Sequence, residues 1–229
     1  MYGIMKERFQ YYVCHIWHRN GEVMTEIEIR NILVSECYTN CYLCKNKETG
    51  EGFIVDPGGN ELKISTNIGQ IEMKPTAILL THGHFDHIAA VEALKKRYGI
   101  KVYVAKEEAN LMLDARKNLS SFFGDPLSVR ADELVEDGQQ LNIAGIDMKF
   151  ILTPGHTPGS GCYYLEENEI LFSGDTLFYA SRGRTDFPGG SETDIMKSIR
   201  EKLLVLPEET SVFPGHNEST TIGREKRYY

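Results

Sequence analysis

The stretch Thr81-His82-Gly83-His84-Phe85-Asp86-His87 constrains this chain more than any other. It follows directly on the apolar run 77–80, short enough to read as a fully buried strand. Three of the chain's seven histidines and one aspartate therefore arrive together where a buried strand ends. Polar groups brought to such a place need partners, because an unpaired buried polar group is costly.

The same ending recurs. Four apolar strands read ILLTHGH (78–84), FILTPGH (150–156), ILFSGD (170–175) and VFPGH (212–216). Each delivers a His or Asp at its finish, beside a glycine that permits approaches a Cβ would block. Strand ends are rigid platforms, better suited than free loops to hold ligands. Five histidines and two aspartates collect there: His82, His84, Asp86, His87, His156, Asp175 and His216. Imidazole with carboxylate suits Zn, Fe or Mn. Seven donors exceed one tetrahedral ion but suit two ions sharing a bridging carboxylate. Residues 82 and 84, two apart in extended chain, can point the same way, and Asp86 and His87, past the bend, can face a second ion. An isolated histidine of this kind is more often a hydrogen-bonded core residue. The run of four with three further strand ends downstream argues otherwise. His15 and His18, in an irregular leader, are expected not to be ligands.

At 229 residues the chain can bury roughly 70–75% of its unfolded surface without disulfide staples. A net charge of −8 and basic runs no longer than 95–97 argue against a nucleic-acid partner. No apolar run reaches the ~18 residues of a membrane span, and the start lacks a secretory apolar segment. Five cysteines, an odd number, favour reduced thiols and hence a cytoplasmic protein. Residues 1–26 read as an N-terminal extension and 27–229 as one domain. Strands are expected at 28–35, 41–44, 52–55, 77–80, 101–104, 148–152, 162–165, 170–172 and 210–213. Helices are expected at 88–98, stopped by Gly99, and at 107–113 and 192–204. Strands dominate each half with single helices between them, which implies packed sheets with helices outside, an α/β layered architecture.

The motifs TNCYLCKNKETGEGFIVDPGG, THGHFDHIAAVEAL, TPGHTPGSGCYYL, LFSGDTLF, GRTDFPGGS and FPGHNESTTIGREK together resemble the metallo-β-lactamase superfamily, and within it the glyoxalase II-like hydrolases. The resemblance covers residues 27 to 227. It implies an αββα sandwich, two facing mixed β-sheets with helices on the outer faces. It assigns His82, His84 and His156 to a first metal, Asp86, His87 and His216 to a second, and Asp175 to both. The implied activity is cleavage of a small hydroxyacylglutathione-like thioester by a hydroxide bridging two divalent ions, most simply Zn, with Fe or Mn as alternatives. Asp86 would orient that hydroxide and share in proton transfer.

Two departures narrow the resemblance. Many true β-lactamases carry a Cys or a non-carboxylate residue where this chain has Asp175, which disfavours antibiotic hydrolysis. The chain ends thirteen residues after His216, so the helical C-terminal domain that grips glutathione is expected to be missing. The segment GRTDFPGGS looks like that of short, single-domain relatives. A lactonase or other ester hydrolase would use the same ligands, and a persulfide dioxygenase with one iron is a further alternative, disfavoured by the complete second trio.

Smaller signals remain. Asp56 is either a plain turn residue or, as the resemblance implies, a support behind the metal loops. Hydroxyls of the loop 153–160, Thr157 among them, are expected to hydrogen-bond metal ligands. Arg182 and Arg184 would either meet a substrate carboxylate or form internal ion pairs. Cys37, Cys41 and Cys44 have a metal-like spacing but lack a nearby fourth cysteine, and an alternating strand sends 41 and 44 to opposite faces. A separate metal site there is not expected. The oligomeric state is not legible.

Overall fold

The computed structural model describes residues 11–13 and 25–229, with side chains from residue 25 onward. Among these residues the chain forms two large sheets. The first contains β1 (Tyr11–Val13), β2 (Ile27–Val34), β3 (Thr39–Asn46), β4 (Glu51–Val55), β5 (Lys74–Leu79), β6 (Lys101–Ala105) and β7 (Glu133–Val135), paired in that order. β1 to β4 are antiparallel neighbours, whereas β4 to β7 run parallel. Parallel pairing needs crossovers, here carrying α1 (Glu61–Gln70), α2 (Phe85–Ile88), α3 (Val91–Tyr98), α4 (Ala109–Leu113) and α5 (Ser120–Phe123). The second sheet contains β8 (Gln140–Ile143), β9 (Ile146–Leu152), β10 (Gly161–Leu165), β11 (Ile170–Gly174), β14 (Ser211–Pro214) and β15 (Thr220–Thr221). A small hairpin, β12 (Leu177–Phe178) and β13 (Ser181–Arg182), follows β11, and α6 (Glu192–Lys197) and α7 (Ile222–Glu225) complete the chain.

Strand alternation sorts the apolar side chains into layers. Ile29, Tyr42, Phe53 and Leu79 from the first sheet meet Phe150, Tyr163, Phe172 and Phe213 from the second, all buried. The opposite face of the first sheet, with Leu43, Ile54, Ile78 and Val102, packs on Ile64 and Ile68 of α1 and Leu94 of α3. The far face of the second, with Cys162, Leu171 and Val212, packs on Ile195 of α6 and on Ile199 and Leu203. Helix, sheet, sheet and helix thus stack in the αββα order that the motifs implied. Each fully buried Phe or Leu contributes roughly 1.5–3 kcal/mol. No described helix is long and apolar enough to cross a membrane.

Several boundaries differ from expectation. The predicted helix over 88–98 is two pieces, because the Ala90 N–H leaves the helical ladder and donates to the Pro57 carbonyl at 2.9 Å. The predicted helix over 192–204 widens after α6 into a π-helical segment, Ser198–Leu203. α1 was not foreseen. Its amino end is capped by Asn60, whose side chain accepts from the Lys63 N–H at 3.2 Å. The proposed leader, with His15 and His18, lies outside the described residues except for 11–13, which pair with β2, and residues 25 and 26.

Candidate metal centre

β10 pairs antiparallel with both β9 and β11, and β11 pairs parallel with β14. β9, β11 and β14 therefore run the same way and finish at one edge of their sheet. Their next residues lead into His156, Asp175 and His216. From the facing sheet β5 ends at the same place and leads into His82 and His84, and α2 carries Asp86 and His87. All seven side chains come together.

They form two trios. The ligand-type atoms of His82, His84 and His156 lie within 4.8 Å of one another, and so do those of Asp86, His87 and His216. His84 Nδ1 and His156 Nε2 face each other at 2.9 Å. His216 Nε2 is 3.3 Å from Asp86 Oδ2. Asp175 stands between the trios: its Oδ2 is 3.5 Å from His156 Nε2 and 3.6 Å from His216 Nε2, and its Oδ1 is 3.5 Å from His87 Nε2.

The surrounding hydrogen bonds fix which ring nitrogens face inward. The Thr81 hydroxyl gives its proton to Asp56 Oδ2 at 2.6 Å, so at 3.2 Å it accepts from His82 Nδ1–H. His87 Nδ1–H donates to Asp56 Oδ2 at 3.0 Å, and His156 Nδ1–H to the Arg184 carbonyl at 2.7 Å. With each Nδ1 proton so engaged, the Nε2 atoms of His82, His87 and His156 are aimed at the centre. Asp56, also bound by the Thr81 N–H at 2.8 Å, lies behind both His82 and His87. His82 Nε2, His84 Nε2, His87 Nε2 and Asp175 Oδ1 are buried with no hydrogen-bond partner among the described residues. An unsatisfied buried polar atom costs about 1–3 kcal/mol; His84 turns its Nδ1 rather than its Nε2 toward His156, so at the centre itself two nitrogens and a carboxylate oxygen leave that cost standing. Cations are the group this donor set fits.

Charge tells the same story. Burial and the neighbouring imidazoles hold His82 and His84 well below the usual histidine range, hence neutral, the form that ligates. Burial also pushes His87 down, but Asp175, Asp86 and Asp56 outweigh it and lift it to about 10. Burial would raise Asp86, yet His87 and His216 hold its carboxyl well below the usual range. Three acids around His87 demand positive charge, which a proton or a metal ion can supply.

Other expected residues fall elsewhere. Thr157 does not reach a histidine: its hydroxyl donates to Glu108 Oε2 at 2.9 Å and lies 2.7 Å from Ser160 Oγ. The expectation that it hydrogen-bonds a ligand is corrected, because the buried carboxylate nearby is the stronger acceptor. Arg184 pairs with Asp186 through two bonds of 2.6 Å, and Arg182 pairs with Glu192, so the internal ion pairs are what the structure holds. Cys41 faces the helices and Cys44 the opposing sheet, while Cys37 is exposed.

Three contributors were not foreseen. Thr39 Oγ1 donates to Asp86 Oδ2 at 3.1 Å. The Asn40 amide donates to the Pro214 and Asn217 carbonyls, 2.9 Å each, and its N–H to the Gly215 carbonyl at 2.7 Å, flanking His216 on both sides. Glu108 is buried between the first two ligand loops. Thr39 and Asn40 sit in the TNCYLC motif, which carried the resemblance without a role attached. Glu108 left no sequence signal.

A family model described as the metallo-beta-lactamase superfamily matches residues 34–216. The Bacillus subtilis protein described as "Probable metallo-hydrolase YqgX" is 39% identical over 199 residues, spanning 86% of this chain and 93% of that one. The Haemophilus influenzae "Hydroxyacylglutathione hydrolase GloC" is 33% identical over 207 residues, 88% of this chain and 96% of its own. Among solved structures, "BLEG-1 B3 metallo-beta-lactamase" aligns with a TM-score of 0.83 and 40% identity, covering 87% of this chain and 96% of that one.

Proposed function

Since this chain belongs to the metallo-β-lactamase superfamily of metal-dependent hydrolases, we propose that it cleaves a small thioester of the hydroxyacylglutathione type at a two-ion centre. The observation that carries the reading is the position of Asp175, within 3.6 Å of nitrogens from both trios. His82, His84 and His156 would hold one ion, Asp86, His87 and His216 the other, and Asp175 both. Zinc is the proposed ion, with iron and manganese suited to the same donors. Bound there, divalent cations supply Lewis acidity and bring the pKa of water to about 7.

The chain's own groups then do the positioning. Thr39 pins Asp86 Oδ2, leaving that carboxylate oriented to take the proton of an attacking water. Asp56 locks the His82 and His87 rings through Thr81 and directly, so neither can swing away as charge shifts. The side chains of Asp86 and His216 are 13% and 22% exposed, whereas His87 is fully covered. Substrate therefore enters on the Asp86–His216 side. Hydrolysis adds water across the acyl–sulfur bond and releases a carboxylate and a thiol. The likeness to a named hydroxyacylglutathione hydrolase supports this substrate class.

The likeness to BLEG-1 favours a second reading, β-lactam hydrolysis. Metal analysis and a panel of S-lactoylglutathione, a homoserine lactone, a cephalosporin, and glutathione persulfide with oxygen uptake separate them. Two ions per chain with preferential thioester cleavage is the expected result. One iron with oxygen consumption, or cephalosporin turnover exceeding thioester turnover, overturns it.

A further inference from the structure

Glu108 is a fully buried acid with no basic partner among its hydrogen bonds. It precedes α4, and its backbone is fixed there: its N–H donates to the Ala105 carbonyl at 3.0 Å, and its own carbonyl accepts from the Leu111 N–H at 2.9 Å. From this mount the carboxylate reaches two loops. Oε1 accepts from the Gly83 N–H at 2.9 Å, between His82 and His84. Oε2 accepts from Thr157 Oγ1 and the Gly159 N–H, both at 2.9 Å, just past His156. The carboxylate thus joins the backbones that carry His82, His84 and His156, and its hydrogen bonds go to Gly83, Thr157 and Gly159 rather than to Asp86, His87 or His216.

The two loops are shaped to admit it. A Cβ at Gly159 would lie 2.4 Å from Glu108 N and 2.6 Å from Oε2, and one at Gly83 would lie 2.5 Å from Met112 Cγ on α4. Burial raises the Glu108 carboxyl to about 7 against the pull of its three donors, so the group sits there at an energetic cost. A merely apolar filler would serve packing as well without that cost.

We propose that Glu108 is a positioning residue for the first trio, holding the His82–His84 and His156 loops at the spacing a cation requires while leaving the second trio untouched. The inference rests on the two-ion reading above. Groups that orient metal ligands typically contribute 10–100-fold in affinity. The second trio has its own supports in Thr39 and Asn40, so the effect of Glu108 is confined to one site.

The test uses Co(II) titration of the metal-free full chain, followed by visible absorption, in two single-site backgrounds. His216→Ala disables the second trio, and His156→Ala the first. In the His216→Ala background, Glu108→Ala should weaken Co(II) binding at least 10-fold, with a changed absorption band. In the His156→Ala background it should change affinity less than twofold. Glu108→Gln, which keeps one acceptor oxygen but turns an NH2 toward an N–H, should fall between wild type and Ala. If Glu108→Ala loses its fold by circular dichroism, Glu108→Gln decides by the same comparison. Equal weakening in both backgrounds, no weakening in either, or loss of fold in both variants overturns the proposal. Failure of the two-ion reading shows separately, as an otherwise unsubstituted chain that does not take up two equivalents of Co(II).

Discussion

Gly215→Ala should weaken metal binding without costing the fold. Gly215 precedes His216, and its backbone is not in the left-handed region, so an added methyl meets purely steric resistance. That methyl would lie 2.2 Å from Asp175 Oδ1 and 2.7 Å from His87 Cε1. Cβ contacts effectively begin at 3.0 Å, so the Asp175 oxygen must retreat by about 0.8 Å. Retreat of the His87 ring is opposed by its bond to Asp56 at 3.0 Å, and retreat of residue 215 by the bond from Asn40 to its carbonyl at 2.7 Å. Asp175 is the group that yields. Overpacking of this kind costs about 1–3 kcal/mol, which taken from ligand geometry is roughly a 5- to 150-fold loss in affinity. Turnover should fall by about 100-fold, the usual consequence of misplacing a reacting group by ~1 Å. Metal analysis after dialysis against graded chelator, beside circular dichroism, measures both parts. A Gly215→Ala protein that retains two ions at wild-type affinity would refute the steric reasoning.

Other outcomes follow from the same geometry. Asn40→Ala removes the side-chain donor to the Asn217 carbonyl and one of two donors to the Pro214 carbonyl, which keeps the Tyr42 hydroxyl at 2.7 Å, and should lower stability by about 1–3 kcal/mol in urea unfolding; an unchanged midpoint would contradict the role given to Asn40. Cys37→Ser should leave metal content unaltered, because Cys41 and Cys44 face opposite layers; loss of an ion would restore the cysteine site. Burial pushes Asp132 up, but Lys95 and the Val102 N–H outweigh it and hold the carboxyl below its unfolded value. Its stabilising share is therefore present above about pH 4 and is lost as pH falls through the depressed pKa. Asp132→Asn should have a shallower acid unfolding limb, and an identical limb would count against the assignment.

The strand ends were legible because their signal is local: an apolar run, a glycine and a His or Asp, four times over. Layering was legible for a similar reason, since alternation along 41–44 and 52–55 already places side chains on two faces. α1 was not, because its buried residues Ile64, Asn67 and Ile68 present too narrow an apolar stripe, one of them polar. The break between α2 and α3 depends on a bond to Pro57, more than thirty residues earlier, and nothing in 85–98 announces it. Glu108 is the extreme case. Its partners lie 25, 49 and 51 residues away, and in sequence it is one acid in a charged stretch. Thr157 was misread because the acceptor that claims its hydroxyl was itself invisible.

The two trios draw on both sheets, so ions seated there would tie residue 82 to residue 216 through the interior. A cross-link that forms only in the folded chain shifts the unfolding equilibrium by mass action, about 2.7 kcal/mol when free ion stands at 100 times its dissociation constant. For a domain of this length that is a rise in melting temperature of roughly 5–11 °C. Thermal denaturation would then double as a gauge of occupancy, and scarcity of the ion would make the protein easier to unfold and degrade as well as inactive.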